Sequence, residues 1–315
     1  MATSSQKNYK NFIRSFLFGL GILFLAALVI QSWDQLQHLL TTIHWPIFIL
    51  SVLIGCLGNL FTSLFFKELL HKYGIEVTYH LTHKIFFYAQ IAKYIPGKIW
   101  LLFYQAMLVN KIGATRAMLF ANVDLTAISI LISAAIAIGL MSFNHSFIFS
   151  GLCFVTGLLI SMLIGKSCYL FASANYIFSY IKRLKNQLGS CHTDIKTLKI
   201  VTYYTLFWST YLASGFLMMF AAFNFSVAQS ANYIAYLGIA WIVGVLSFFV
   251  PGGMGIREFI FIMLAQSLSQ NISLELLAAI AVISRFWIIL QELTGISLVV
   301  VWNFYKTETI QFGGN

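Results

Sequence analysis

Charge is scarce in this chain: 9% of its 315 residues are Asp, Glu, Lys or Arg, against 60% hydrophobic residues. That composition, with a mean hydropathy of +0.85, excludes a soluble globule and predicts an all-α, polytopic integral membrane protein. Proline is scarcer still, at 3 residues. Two of them, Pro96 and Pro251, stand next to glycine between apolar runs, and the third, Pro46, opens a helix. Cys56, Cys153, Cys168 and Cys191 show no CxxC spacing, so packed thiols are expected and a disulfide or metal framework is not. No Ser-His-Asp order, nucleotide loop or metalloprotease spacing is present, so no enzyme machinery is visible and no cofactor is expected. The one His-rich stretch, His71, His80 and His83 with Glu76, reads as a loop, which rarely converges three or four ligands on a metal.

Basic residues are in excess, for a net charge of +10. In a soluble protein this would suggest nucleic acid; here it sorts by side of the membrane, and no nucleic-acid partner is expected. Lys7, Lys10 and Arg14 precede the apolar run 16–30, which ends without a small-x-small cleavage site and reads as an uncleaved first span. The loops 31–42 and 141–146 and the segment 224–232 contain no Lys or Arg and are expected outside. The segment 67–84, read as a long loop, and the basic linker 182–199 are expected in the cytoplasm. Spans are predicted over 46–66, 117–140, 147–164 and 200–223, with 168–181 lying along the inner surface. Residues 274–305 read as one bent helix or two short ones, interrupted near Glu292–Gly295. The sum is about six to eight transmembrane helices in a multi-pass inner-membrane protein with both termini cytoplasmic.

The sequence Tyr94-Ile95-Pro96-Gly97-Lys98 lies between two apolar arms, 85–94 and 99–109. Each arm reaches about 15 Å, half of a roughly 30 Å hydrocarbon core. A re-entrant hairpin from the cytoplasm fits both. The second motif, Val250-Pro251-Gly252-Gly253-Met254-Gly255-Ile256-Arg257-Glu258, follows the apolar run 233–250. That run is either a complete span or the first arm of a hairpin dipping in from outside, and the Lys/Arg-free connection 269–273 favours the hairpin. Span, hairpin, span then occurs twice in opposite orientation, over 43–140 and 200–305. This predicts an inverted repeat within a single transmembrane domain of residues 1–315. Pro-Gly ends one helix and opens the next, whose first turn offers unpaired N–H groups and a positive dipole end to anions. Pro96, Gly97 and Lys98, with Pro251, Gly252, Gly253, Gly255 and Arg257, are therefore the candidate residues for binding a phosphate-bearing molecule.

The order of these features resembles the flippase-like membrane domain of lysylphosphatidylglycerol synthases. The carrying residues are Tyr94 to Lys98 with Gly113 and Arg116, then Pro251 to Glu258, then Arg285. The Pro-Gly-Gly-x-Gly-x-x-Glu pattern is the specific part. The resemblance implies lipid translocation or a related lipid-handling role. With the chain ending at Asn315, no room is left for the soluble aminoacyl-transferase domain of two-domain members. It implies substrates of the kind linked to the family: aminoacylated phospholipids, hopanoids or polyprenyl-linked intermediates.

Asp124, Glu258, Arg285 and Glu292 also lie in or between apolar runs, where an isolated charge costs about 2.5 to 3.5 kcal/mol. Internal pairing or coupling is expected of them, Glu258 with Arg285 and Asp124 with Lys98. The reading is a lipid transporter whose partners are membrane lipids with an anionic headgroup or lipid phosphate, and enzymes of envelope lipid or glycan biosynthesis. Two alternatives compete: a membrane transferase on a lipid phosphate, with Asp124 or Glu258 as acid or base, and a scaffold for an envelope glycosyltransferase complex.

Overall fold

The computed structural model describes residues 19, 22–92, 99–109, 114–143, 146–166, 197–247, 250–269 and 272–311. Among them every regular element is helical. In order these are α1 (Ile22–Gln31), α2 (Trp33–Thr42), α3 (Trp45–Lys72), α4 (Tyr79–Ala92), α5 (Ile99–Val109), α6 (Ala114–Met141) and α7 (Phe147–Lys166). Then follow α8 (Thr197–Phe223), α9 (Val227–Leu246), a single 3-10 turn (Pro251–Gly253), α10 (Ile256–Leu268) and α11 (Leu274–Gln311). Among the described residues 5 stretches, in α3, α6, α8, α9 and α11, are long and apolar enough to cross a membrane. The protein is an all-α, multi-pass membrane protein.

Side-chain register fixes the helix directions. α3 and α8 run antiparallel: the His44 N–H donates to the Ala221 carbonyl at one end, Ser214 Oγ to the Ser51 carbonyl midway, and Phe65 packs on Tyr204 toward the other. α11 runs parallel to α3, with Trp287 Nε1 donating to Ser51 Oγ at 3.2 Å and Gln291 lying against Gly55 one turn further. α4 opposes α11, since His80 and His83 meet Trp302 while Phe87 meets Gly295. α9 and α10 form an antiparallel pair, with Gly244 against Arg257 and Ser269 Oγ donating to the Tyr236 hydroxyl. The α4 arm therefore starts at the end of the bundle where α3 finishes. The α9–α10 pair starts and finishes at the opposite end, where α3 begins.

Each end has its own apolar core. One gathers Leu36, Phe48, Met219, Tyr233, Phe261 and Leu277 around the α9–α10 pair; the other gathers Phe66, Ile85, Phe87, Val109, Ile132 and Val299 around α4 and α5. Between them lies a layer of buried polar side chains: Ser51, Ser214, Glu258, Arg285, Gln291 and Glu292. Outward faces remain apolar, as at Ile49, Leu53, Leu57, Leu293 and Leu298, which suits hydrocarbon.

Four sequence expectations are corrected. The segment 67–84 is not a long loop: α3 continues to Lys72, because Leu69 and Leu70 are fully buried there, and α4 begins at Tyr79. Segment 31–42 holds α2, whose Leu36 and Leu39 at helical spacing bury one face. α9 starts at Val227, six residues before the expected run. Its start is set by a capping box in which Ser226 Oγ accepts from the Gln229 N–H and Gln229 Oε1 from the Ser226 N–H. α11 is continuous through Glu292–Gly295. Gly295 is a packing glycine: a Cβ there would sit 2.0 Å from the Phe87 ring.

Candidate functional site

The second Pro-Gly motif forms a tight reversal between α9 and α10. Gly252, Gly253 and Gly255 have φ of 60°, 65° and 82°, a left-handed backbone that costs a residue with a side chain about 1–2 kcal/mol. A Cβ on Gly253 would also stand 3.1 Å from the Gly244 backbone. The turn's own path thus accounts for these glycines. The turn lies deep in the bundle: the Arg285 guanidinium donates from Nη2 to the Gly252 carbonyl at 3.3 Å, and Arg285 lies about 16 Å along α11 from its start. That is near half of a hydrocarbon core.

At this turn the charges converge. Glu258, in the first turn of α10, accepts the Gly255 N–H at 2.7 Å, so one of the unpaired donors of that helix start is met by the helix's own carboxylate. Its other oxygen stands 3.9 Å from Arg285 Nη1, and both side chains are almost wholly buried. Arg257 lays its stem along Gly244, where a Cβ would meet its Cγ at 2.2 Å. Tyr211 of α8 lies within electrostatic reach of both Arg257 and Glu292. Arg257, Glu258, Ser284 and Arg285 line a cavity with Leu237 and Phe261. Its free space is ≈ 10 Å³, room for about one water molecule. Among the described residues the side chains are packed closely around the charges.

A second charged cluster lies toward the other end. Lys72 Nζ stands 2.8 Å from Asp124 Oδ2, with the side chains 2% and 3% exposed, and the Tyr73 hydroxyl donates to the same oxygen. Burial, then the Asp124 charge, then this hydrogen bond push Tyr73 well above the usual phenol range, so it stays a donor. Among the described residues the partner of Asp124 is Lys72, which the sequence reading placed on a loop; Lys98, the expected partner, lies outside them. The separation of Lys72 and Asp124 by 52 residues carries no local signal, although a Lys in the last turn of a long apolar helix hints at one.

Pro96, Gly97 and Lys98 lie outside the described residues, as does the basic linker apart from its last residues. The side chain of Pro251 likewise lies outside the description, although its backbone forms the turn. Among the described residues no three His, Cys, Asp or Glu converge on a metal position. His83 is instead buried against Ser63, its Nδ1 in hydrogen-bond contact with Oγ, and His80 packs edge-on to Trp302. Sequence reasoning missed the polar layer at Ser51, Ser214 and Gln291. Spacing supplied the one available signal: Trp287, Gln291 and Thr294 recur on one face of an otherwise apolar helix.

A helical bundle with two apolar ends and a charged layer at mid-depth defines a membrane domain built around an internal polar site. The chain belongs to the family described as lysylphosphatidylglycerol synthase TM region, which matches residues 13–290. It is thereby a multi-pass membrane domain related to lipid modification or translocation. No curated protein and no solved structure matches the chain.

Proposed function

We propose that the protein translocates a phosphate-bearing lipid across the inner membrane. Its headgroup is held at the Pro251–Gly255 turn while its tails stay in the bilayer. One observation carries this reading: Arg257, Glu258 and Arg285 meet at mid-depth around a polar turn, where each charge costs about 2.5–3.5 kcal/mol and charged groups mark substrate pathways. A phosphate leaving the headgroup layer loses water, and the guanidinium donors with the N–H groups of the α10 start replace part of it. Glu258 then yields the Gly255 N–H that it holds in the closed form.

The helix directions support alternating access. Residues 45–141 run span, hairpin, span from one end, and residues 197–304 do so from the other, which we read as an inverted repeat. Opening at either end by rocking one half on the other exposes the same polar layer to each side. In this reading the α3 finish and both termini are cytoplasmic, because Lys67, Lys72, Lys84 and Lys199 gather at the α3 finish. The substrate is an aminoacylated phospholipid, a hopanoid or a polyprenyl-linked intermediate, handed over by envelope biosynthesis enzymes. The protein makes no covalent change to it.

The test is reconstitution of purified protein into liposomes containing one labelled lipid class at a time, with leaflet exchange and lipid mass followed together. Faster exchange of a phosphate-bearing lipid at unchanged mass is expected. Exchange no faster than in protein-free liposomes for every class, or a new covalent product, refutes the reading.

A further inference from the structure

One side chain of the mid-depth polar layer is left without a hydrogen bond. Gln291 is 1% exposed, and among the described residues its amide Nε2 has no partner. Its neighbours in the layer are met: Ser214 Oγ donates to the Ser51 carbonyl, Trp287 Nε1 to Ser51 Oγ, and the Gly255 N–H to Glu258. A buried amide that has given up water and gained nothing costs stability, whereas an unbranched apolar side chain of the same length would fill the place without that loss. Room is nevertheless kept for it. A Cβ on Gly55 would stand 2.4 to 2.6 Å from the three end atoms of this amide.

Helical register leads from the charged cavity to Gln291. Ser284 and Ile288 line that cavity, and steps of four and then three residues carry one face of α11 from Ser284 through Ile288 to Gln291, about 10 Å along the axis. Across from this face, Tyr211 packs on Trp287 with ring centroids 5.6 Å apart and lies within electrostatic reach of both Arg257 and Glu292, the residue next to Gln291. An uncharged amide has two donors and one acceptor. It suits a neutral hydroxyl, which both gives and takes a hydrogen bond, while a phosphate suits the guanidinium. We propose that Gln291 is a specificity residue that binds a hydroxyl of the headgroup whose phosphate lies at Arg257. The lipids taken are then those whose phosphate carries a neutral, hydroxylated head. The inference rests on the translocation reading for the phosphate at Arg257. A headgroup lacking the hydroxyl is rejected because it leaves the amide bare.

The test compares two probes, short-chain phosphatidylglycerol and short-chain phosphatidylpropanol, which share charge, phosphate and a three-carbon head and differ only in two hydroxyls. Binding to purified protein in uncharged micelles is measured by titration calorimetry. The parent is expected to bind phosphatidylglycerol about 10-fold more tightly than phosphatidylpropanol, the effect of one neutral hydrogen bond. Gln291→Met, unbranched like glutamine and so suited to the place over Gly55, is expected to bind both at the phosphatidylpropanol affinity. Equal affinities of the parent for the two probes overturn the inference, and this comparison decides alone if Gln291→Met does not fold. A variant that weakens both probes equally also overturns it, since an amide that only packs, or only holds a water, would do that. Exchange of the same lipids in liposomes is scored separately. A parent that discriminates in binding yet moves neither lipid upholds the role of Gln291 and refutes the transport reading; one that binds and moves both alike overturns the role and leaves that reading standing.

Discussion

Removing either member of the Glu258–Arg285 pair leaves a charge in a place with almost no water. Glu258→Ala takes away both the carboxylate facing Arg285 at 3.9 Å and the acceptor of the Gly255 N–H at 2.7 Å. A charged hydrogen bond contributes about 1.5–3 kcal/mol, and stranding one partner of a buried pair costs about 3–5 kcal/mol. Glu258→Ala is therefore expected near the upper end of that range. Arg285→Ala is expected near the lower end, since Glu258 keeps the Gly255 N–H. The double variant Glu258→Ala/Arg285→Ala strands no charge, so its loss is expected to fall short of the sum by about 1–3 kcal/mol. Unfolding equilibria of the four proteins in mixed micelles measure this directly. Losses that add to within about 0.5 kcal/mol would show that the two side chains do not sustain each other.

Four further outcomes follow from the packing. Gly295→Leu, which drives a side chain into the Phe87 ring, is expected to destabilise by at least about 1–3 kcal/mol, read in the same micelles. Gly255→Ala, at a φ of 82°, is expected to lose about 1–2 kcal/mol, whereas Gly238→Ala, whose Cβ meets Ser133 Oγ at 3.4 Å, loses less. Ser226→Ala removes the side-chain acceptor for the Gln229 N–H and is expected to lose about 0.5–2 kcal/mol of stability. Cysteines at Gln37 and Gln229 are expected to react with an impermeant reagent from outside intact cells and one at Glu76 not to, because α2 and the α9 start lie at the end opposite the α3 finish; the reverse pattern would invert the orientation.

The sequence made legible what depends on local chemistry. Pro251 and its glycines are rare punctuation in an apolar chain, so the reversal was visible. The bounds of α5 and the end of α8 followed from apolar runs. What depends on tertiary partners was not legible. A lysine after Leu69-Leu70 reads as the start of a loop unless Asp124 is known to lie beside it, and Gly295 reads as a break unless Phe87 is known to fill its place. The motif glycines stand out in the sequence as candidate phosphate-binding residues, and the fold adds that Gly252, Gly253 and Gly255 take the left-handed backbone that the turn requires. The helix start they lead to remains charged and buried, and its nearest anion is Glu258.

That charge is the centre of the account. Arg257→Met keeps the stem that lies along Gly244 and removes the guanidinium alone. In liposomes with matched protein content, exchange of a phosphate-bearing lipid by Arg257→Met is expected to fall by about 10- to 160-fold, the equivalent of a charged hydrogen bond of roughly 1.5–3 kcal/mol. Arg257→Lys is expected to retain part of the rate, as a point charge without the planar fork. Exchange at the parent rate in a folded Arg257→Met protein would contradict the account, leaving the Pro-Gly turn as a structural reversal with no anion to hold.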